Sequence, residues 1–260
     1  MNAISHAWPK ASAKTILGIP VHDWNWSEAL AAVETMLQGT RRFTHFAFLN
    51  ANNANIMVQD PEYRRVLERC VVLPDGIGVD IASQFIHGKR FTANLNGTDF
   101  VPALLTFVVR PLRVGLIGGS ADVLAQAAAN FKLHTPWHEF IPVADGYFDS
   151  KGGETILANL AEQPVDLLLV AMGTPRQEKW IDRHVTADHA RVVIGVGALF
   201  DFVSGRVPRA PVWIRQIRAE WFYRLWLEPS RLWRRYVLGI PVFLFYILRD
   251  RMTNPVARPT

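Results

Sequence analysis

The sequence contains a single cysteine, Cys70, which excludes an intrachain disulfide. Its eight histidines are scattered, and none joins the cysteine in a cluster at metal-ligand spacing, so no zinc site is expected. Such cysteine usage fits a reducing cytoplasm. Long apolar runs are also scarce. The longest uncharged one near the C-terminus, VLGIPVFLFYIL at residues 237–248, is interrupted by Gly239 and Pro241 and falls short of the roughly 20 residues a helix needs to cross a bilayer. No apolar stretch of signal-peptide length follows the N-terminal charges, which predicts a chain that is not exported. The absence of a G-x-x-x-x-G-K-[ST] loop argues against P-loop phosphoryl transfer, and the absence of G-x-S-x-G against a nucleophile elbow. Asp-x-Asp occurs nowhere. A nucleotide-sugar enzyme without that acidic pair needs another source of positive charge for its departing diphosphate.

That charge is present, and it is concentrated. Residues 201–260 hold eleven arginines and no lysine against four acids, a balance of +7 in a chain whose total is +5. Four of the nine tryptophans, Trp213, Trp221, Trp226 and Trp233, fall in the same stretch. Arginine and tryptophan beside an apolar run suit an anionic membrane surface. Nucleic acid competes as a partner on these residues alone, because arginine also binds phosphate backbones and aromatics stack on bases.

Half of the 260 residues are hydrophobic, enough to bury a large core as one α/β domain or two smaller ones. The segment WSEALAAVETMLQ reads as a helix with Ser27 as its cap and Ala29, Leu30, Val33 and Leu37 as an apolar stripe. Strands are predicted at FTHFAFLN and CVVLP, and NANIMVQDPEYRRVLERC between them is helical with a proline break. IGVDIASQFI is a short helix. The rhythm repeats as LRVGLIGG leads into SADVLAQAAANFKLH, VDLLLVAMG into TPRQEKWIDRH, and RVVIGVGALFDFVSG closes the alternation. Unbroken Val/Leu/Ile runs of this kind mark parallel strands covered on both faces, so the expected fold is a Rossmann-like, doubly wound, mostly parallel α/β sheet. From residue 206 the pattern changes to a basic, Trp-rich helical appendage divided at Pro229. The expected division is therefore 1–205 and 206–260.

In such sheets ligands lie beyond the carboxyl ends of the strands, which directs attention to the corners. At VVLPDGIGVD an acid, Asp75, stands between Pro74 and Gly76; all three are turn formers, so the tripeptide alone marks a bend. GLIGGS lets backbone N–H groups approach a phosphate at a helix start, or serves only as a tight turn. At MGTPRQEKW, capping accounts for Thr174, Pro175 and Glu178 but leaves Gln177 without a task, and a side-chain amide there suits a sugar or base hydroxyl. Asp201 in GVGALFDFVSGR is placed either to pair with Arg206 or Arg209 or to bind ribose or a base edge.

Together, FLNANNANIM, LPDGIGVDIA, LNGTDF, GLIGG, DGYF, LLLVAMGTPRQEKWI, GVGALFDFVSG, PRAPVWI and AEWFYRLWLEPSRLWRR resemble the bacterial WecG/TagA/CpsF glycosyltransferases, in family order over residues 46 to 236. RFTANLNGTDF and the Trp-rich tail are most similar to members that build exopolysaccharide repeat units by glucosyl transfer. The resemblance implies an inverting enzyme that moves a sugar from a UDP-sugar to an undecaprenyl-diphosphate-linked saccharide, peripherally bound at the cytoplasmic face of the inner membrane, with neither a metal nor another cofactor. It places the catalytic base on Asp75, Gln177 near the reacting centre, Asn50 near the sugar, and Tyr147 and Asp201 toward the uracil. Arg224, Arg231 and Arg234 would meet the diphosphate when the tail docks.

Two departures bear on the donor. Many members carry Thr-x-Asn where this chain has Phe48-Leu49-Asn50, and Arg-x-x-Gly where it has Asn94-Leu95-Asn96-Gly97. Glucose is the expected sugar; the alternatives are N-acetylmannosamine or its uronic acid, or a non-catalytic UDP-binding regulator at the membrane. The expected partners are the UDP-sugar, the lipid-linked saccharide and an anionic membrane surface, not nucleic acid, with a second copy of the chain left open.

Overall fold

The computed structural model describes residues 13–39, 43–211, 214 and 220–253. Six parallel strands form the central sheet: β3 (Thr44–Leu49), β4 (Val71–Pro74), β5 (Arg113–Gly118), β6 (Glu139–Ala144), β7 (Val165–Ala171) and β8 (Ala190–Gly195). Their order across the sheet is β4-β3-β8-β7-β5-β6, and an antiparallel hairpin of β1 (Ala13–Ile16) and β2 (Ile19–His22) stands apart. This is the expected doubly wound α/β arrangement. All six residues of β3 are buried, as are all but the first of β5 and five of seven in β7, which is why these strands read as unbroken apolar runs. β6 lies at the sheet edge and tolerates Pro142, since an edge strand has ladder positions to spare.

Helices α1 (Trp26–Gln38), α2 (Ala51–Gln59), α3 (Pro61–Leu67), α4 (Ile77–His87), α5 (Gly97–Phe107), α6 (Ala121–His134), α7 (Ser150–Glu162), α8 (Arg176–His184) and α9 (Leu199–Val203) flank the sheet. The cap of α1 is Asn25 rather than Ser27: its side chain accepts from Glu28 N and the Glu28 carboxylate accepts from Asn25 N, a reciprocal box that starts the helix two residues earlier. The proline break falls as expected, with Asp60 capping α3 through Tyr63 N. Helices α5 and α7 have no counterpart in the sequence reading. Pro102 lies inside the first and Gly152-Gly153 near the start of the second, so both carry breaker residues where a helix signal is sought.

Beyond residue 206 the described backbone forms helices Glu220–Leu227 and Pro229–Trp233, a π-helical turn Arg234–Leu238, and a final helix Gly239–Thr253. That last helix is joined to the sheet layer. Phe243 and Ile247 are buried in one cluster with Leu49, Met57 and Val79, and Asn55 Nδ2 donates to Gly239 O at 2.7 Å. Among the described residues no helix is long and apolar enough to cross a membrane.

Candidate active site

The carboxyl ends of β3, β5, β7 and β8 open into a cleft of about 940 Å³. Its walls are built from the corners. After β3, Asn50 leaves the strand and caps α2, its Oδ1 accepting from Asn53 N at 3.0 Å. Its Nδ2 donates to Asp75 Oδ2 at 2.9 Å. Asp75 N donates in turn to Leu49 O at 2.9 Å, so the ends of β3 and β4 are tied by backbone and side chain together. Gly76 then takes φ +88, a value that favours glycine, and its N–H donates to Asn94 Oδ1 at 2.7 Å. Asp75 is half-buried and lines the cleft.

On the opposite side, Gly118 at the end of β5 has φ +121, and a Cβ there would lie 2.2 Å from Ala171 O. The GLIGGS corner is therefore a tight backbone junction, with Gly119 N donating to Ala171 O and Gly146 N to Gly119 O. Gly119 and Ser120 also face the cleft, and Arg206 Nη1 donates to Ser120 Oγ at 3.1 Å. The corner packs tightly and still offers the start of α6 to the cavity. Arg209 pairs with Asp99 at 2.8 Å, so the expected partners of Asp201 are engaged elsewhere, and Asp201 lines the cleft beside Tyr147, which is 78% exposed.

Gln177 has the task that its local sequence did not show. It is 2% exposed; its Oε1 accepts from Gly173 N at 3.1 Å and from Gly197 N at 3.2 Å, and its Nε2 donates to Glu178 Oε1 at 2.8 Å. One amide thus braces the corners after β7 and β8. Gly195 makes room for it, since a Cβ there would lie 2.9 Å from Nε2. Thr174 does not act as an N-cap: its hydroxyl donates to Glu178 Oε1 at 2.9 Å, and α8 starts with no side-chain cap bond.

Glu178 is buried, its Oε2 has no hydrogen-bond partner, and loss of hydration pushes its carboxyl above the usual range. Nearby, burial holds His45 down to about 4 and pushes the Cys70 thiol up, so the lone cysteine, in contact with His45 Nδ1 at 3.2 Å, is not a thiolate nucleophile. As pH rises from 4.5 toward the elevated Glu178 value, the unfolded chain releases a proton that the folded chain keeps, so stability falls and then levels off once both have ionised. Glu178→Gln is expected to flatten that part of the curve of denaturation midpoint against pH. Parallel curves for the two proteins would assign the slope to another group.

Of the eight residues singled out by sequence, the cleft gathers Asp75, Asn50, Gln177, Tyr147 and Asp201. The side chains of Arg224 and Arg231 lie outside the described residues. Arg234 is exposed, 5.5 Å from the Trp233 ring centre, and does not line the cleft; its neighbour Arg235 does. Arg206, Arg176 and Arg235 are cleft cations that the sequence reading did not select. Among the described residues no three His, Cys, Asp or Glu side chains gather to hold a metal ion.

A parallel sheet with glycine corners, an acid at the rim and arginines around the opening has the form of a sugar-nucleotide transferase site. The described family Glycosyl transferase WecG/TagA/CpsF matches residues 14–256, and the chain belongs to it. It is a glycosyltransferase. Two curated relatives bear the name N-acetylglucosaminyldiphosphoundecaprenol N-acetyl-beta-D-mannosaminyltransferase. The one from Bacillus subtilis is 30% identical over 249 residues, 95% of each chain. The one from Bacillus spizizenii is 34% identical over 213 residues, 80% of this chain and 81% of its own.

Proposed function

We propose that the chain transfers an N-acetylhexosamine, N-acetylmannosamine in the first instance, from its UDP derivative to a saccharide carried on a polyprenyl diphosphate. The names of both relatives support this sugar over the glucose expected from the tail and the RFTANLNGTDF stretch. The departures at Phe48 and Asn94 weigh against N-acetylmannosamine on sequence alone. Phe48 packs on Gly97 and Asn94 holds Gly76, so both residues keep the rim that carries Asp75 in place.

The observation that carries the reading is Asp75 at the mouth of the cleft, held by Asn50. In a single displacement Asp75 takes the proton of an acceptor hydroxyl as that oxygen attacks the anomeric carbon from the face opposite UDP, which inverts the configuration. Tyr147 and Asp201 then border the uracil, and Arg235, with Arg206 and the remaining tail arginines, stabilises the diphosphate as it leaves without a metal. Phe222, Trp226, Phe245, Leu248 and Met252 are exposed on the tail helices, a surface suited to peripheral contact with anionic lipid at the cytoplasmic face of the inner membrane.

The test is a panel of UDP-sugars with a polyprenyl-diphosphate N-acetylglucosamine acceptor, scored by UDP release and product anomer. UDP-N-acetylmannosamine is expected to give the highest kcat/KM and an inverted product. A clear preference for UDP-glucose would restore the glucosyl reading, and a product of retained configuration would remove the single displacement.

A further inference from the structure

We propose that a second, smaller cavity on the far side of Asp75 receives the terminal sugar of the acceptor, with Tyr236 and Trp221 as its stacking platform. The inference rests on the reading that the chain glycosylates a lipid-linked saccharide, and it assigns that saccharide a place. The cavity has a volume of about 170 Å³, below the roughly 300–1,000 Å³ of a cleft for a whole ligand, and so fits one ring rather than an oligosaccharide. Asn50 and Asp75 line both cavities, which puts the carboxylate in the partition between them. A base that deprotonates an incoming hydroxyl while the nucleotide departs on the other side has to occupy such a partition.

The remaining lining has the chemistry of a carbohydrate subsite. Two aromatic rings from the tail, Trp221 and Tyr236, meet with centroids 5.8 Å apart and planes at 53°, forming a bent apolar wall against which the C–H face of a pyranose can lie. Asn94 lines the same cavity, its Oδ1 accepting from Gly76 N; among the described residues no acceptor is shown for its Nδ2, which offers a donor to a sugar hydroxyl or acetamido oxygen. Arg235 also borders both spaces, and its guanidinium lies 5.6 Å from the Tyr236 ring centre. The tail thereby supplies an acceptor surface as well as a cation. Both aromatics are half-buried and stand outside the buried core clusters, with part of each ring open to the cavity they line.

The test uses the full chain, UDP-N-acetylmannosamine and a detergent-soluble, short-prenyl diphosphate N-acetylglucosamine, so that membrane attachment does not limit the rate. Tyr236→Ala and Asn94→Ser are each expected to raise the acceptor KM about tenfold, with the donor KM and UDP affinity within about twofold of the parent. Tyr236→Phe, which keeps the ring, is expected to restore the acceptor KM. The proposal is overturned if the acceptor KM is unmoved in both variants, or if donor and acceptor KM rise together. Should Tyr236→Ala not fold, Asn94→Ser decides alone. A parent enzyme that glycosylates no polyprenyl-diphosphate saccharide at all would sink the underlying reading instead.

Discussion

Asp75→Asn is expected to lower transfer by about 10²–10⁴-fold while leaving UDP affinity unchanged, as measured by product formation and by calorimetric titration with UDP. The substitution is nearly isosteric. The backbone bond from residue 75 N to Leu49 O does not involve the side chain, and an amide oxygen at the Oδ2 position still accepts from Asn50 Nδ2. What is removed is the ability to take a proton from an attacking hydroxyl. A variant that retains near-parental turnover would show that the proton leaves by another route. A variant that loses UDP binding to the same extent would place the carboxylate in nucleotide recognition rather than proton transfer.

Gln177→Ala is the second large effect, and it falls on stability and activity together. The truncation leaves Gly173 N, Gly197 N and Glu178 Oε1 each without their amide partner. Only the bond to Glu178 is buried, and Thr174 still donates to that oxygen, while solvent can reach the two glycine N–H groups; at about 0.5–1.5 kcal/mol for each lost bond, a loss of about 2–4 kcal/mol is expected. Chemical denaturation reads the stability directly. The corners after β7 and β8 then lose their common brace, and turnover is expected to fall by at least tenfold even where the protein remains folded, because displacements of about 1 Å at a reacting centre are costly. Gln177→Glu supplies a useful contrast: the acceptor oxygen for the two glycines is kept, but a second carboxyl meets Glu178. Normal stability in Gln177→Ala would mean that the two corners hold their positions unaided.

The sheet was legible because its strands are buried on both faces, so each appears as a run of branched apolar residues ended by a corner; β3, β7 and β8 are the clearest cases. Helices with conventional interiors were legible from a single apolar stripe at helical spacing, as in α1. Helices α5 and α7 were not, because an internal proline and a glycine pair mask a periodicity that tertiary packing sustains. At the cleft, local sequence singled out the polar corner residues but not their partners. The glycine N–H that Gln177 accepts from at Gly197 is twenty residues away, and the Asn50 amide that meets Asp75 is twenty-five residues away. Such pairings exist only once parallel strands are set side by side. In the tail, the resemblance pointed to Arg234, and the residue that lines the cleft is its neighbour Arg235.

Phe48 and Gly97 form a lock of one ring against one missing side chain: a Cβ at position 97 would lie 2.7 Å from Phe48 Cε2. A larger residue at 97 therefore requires the Phe48 ring to shift or shrink, and with it the wall it gives to the cleft.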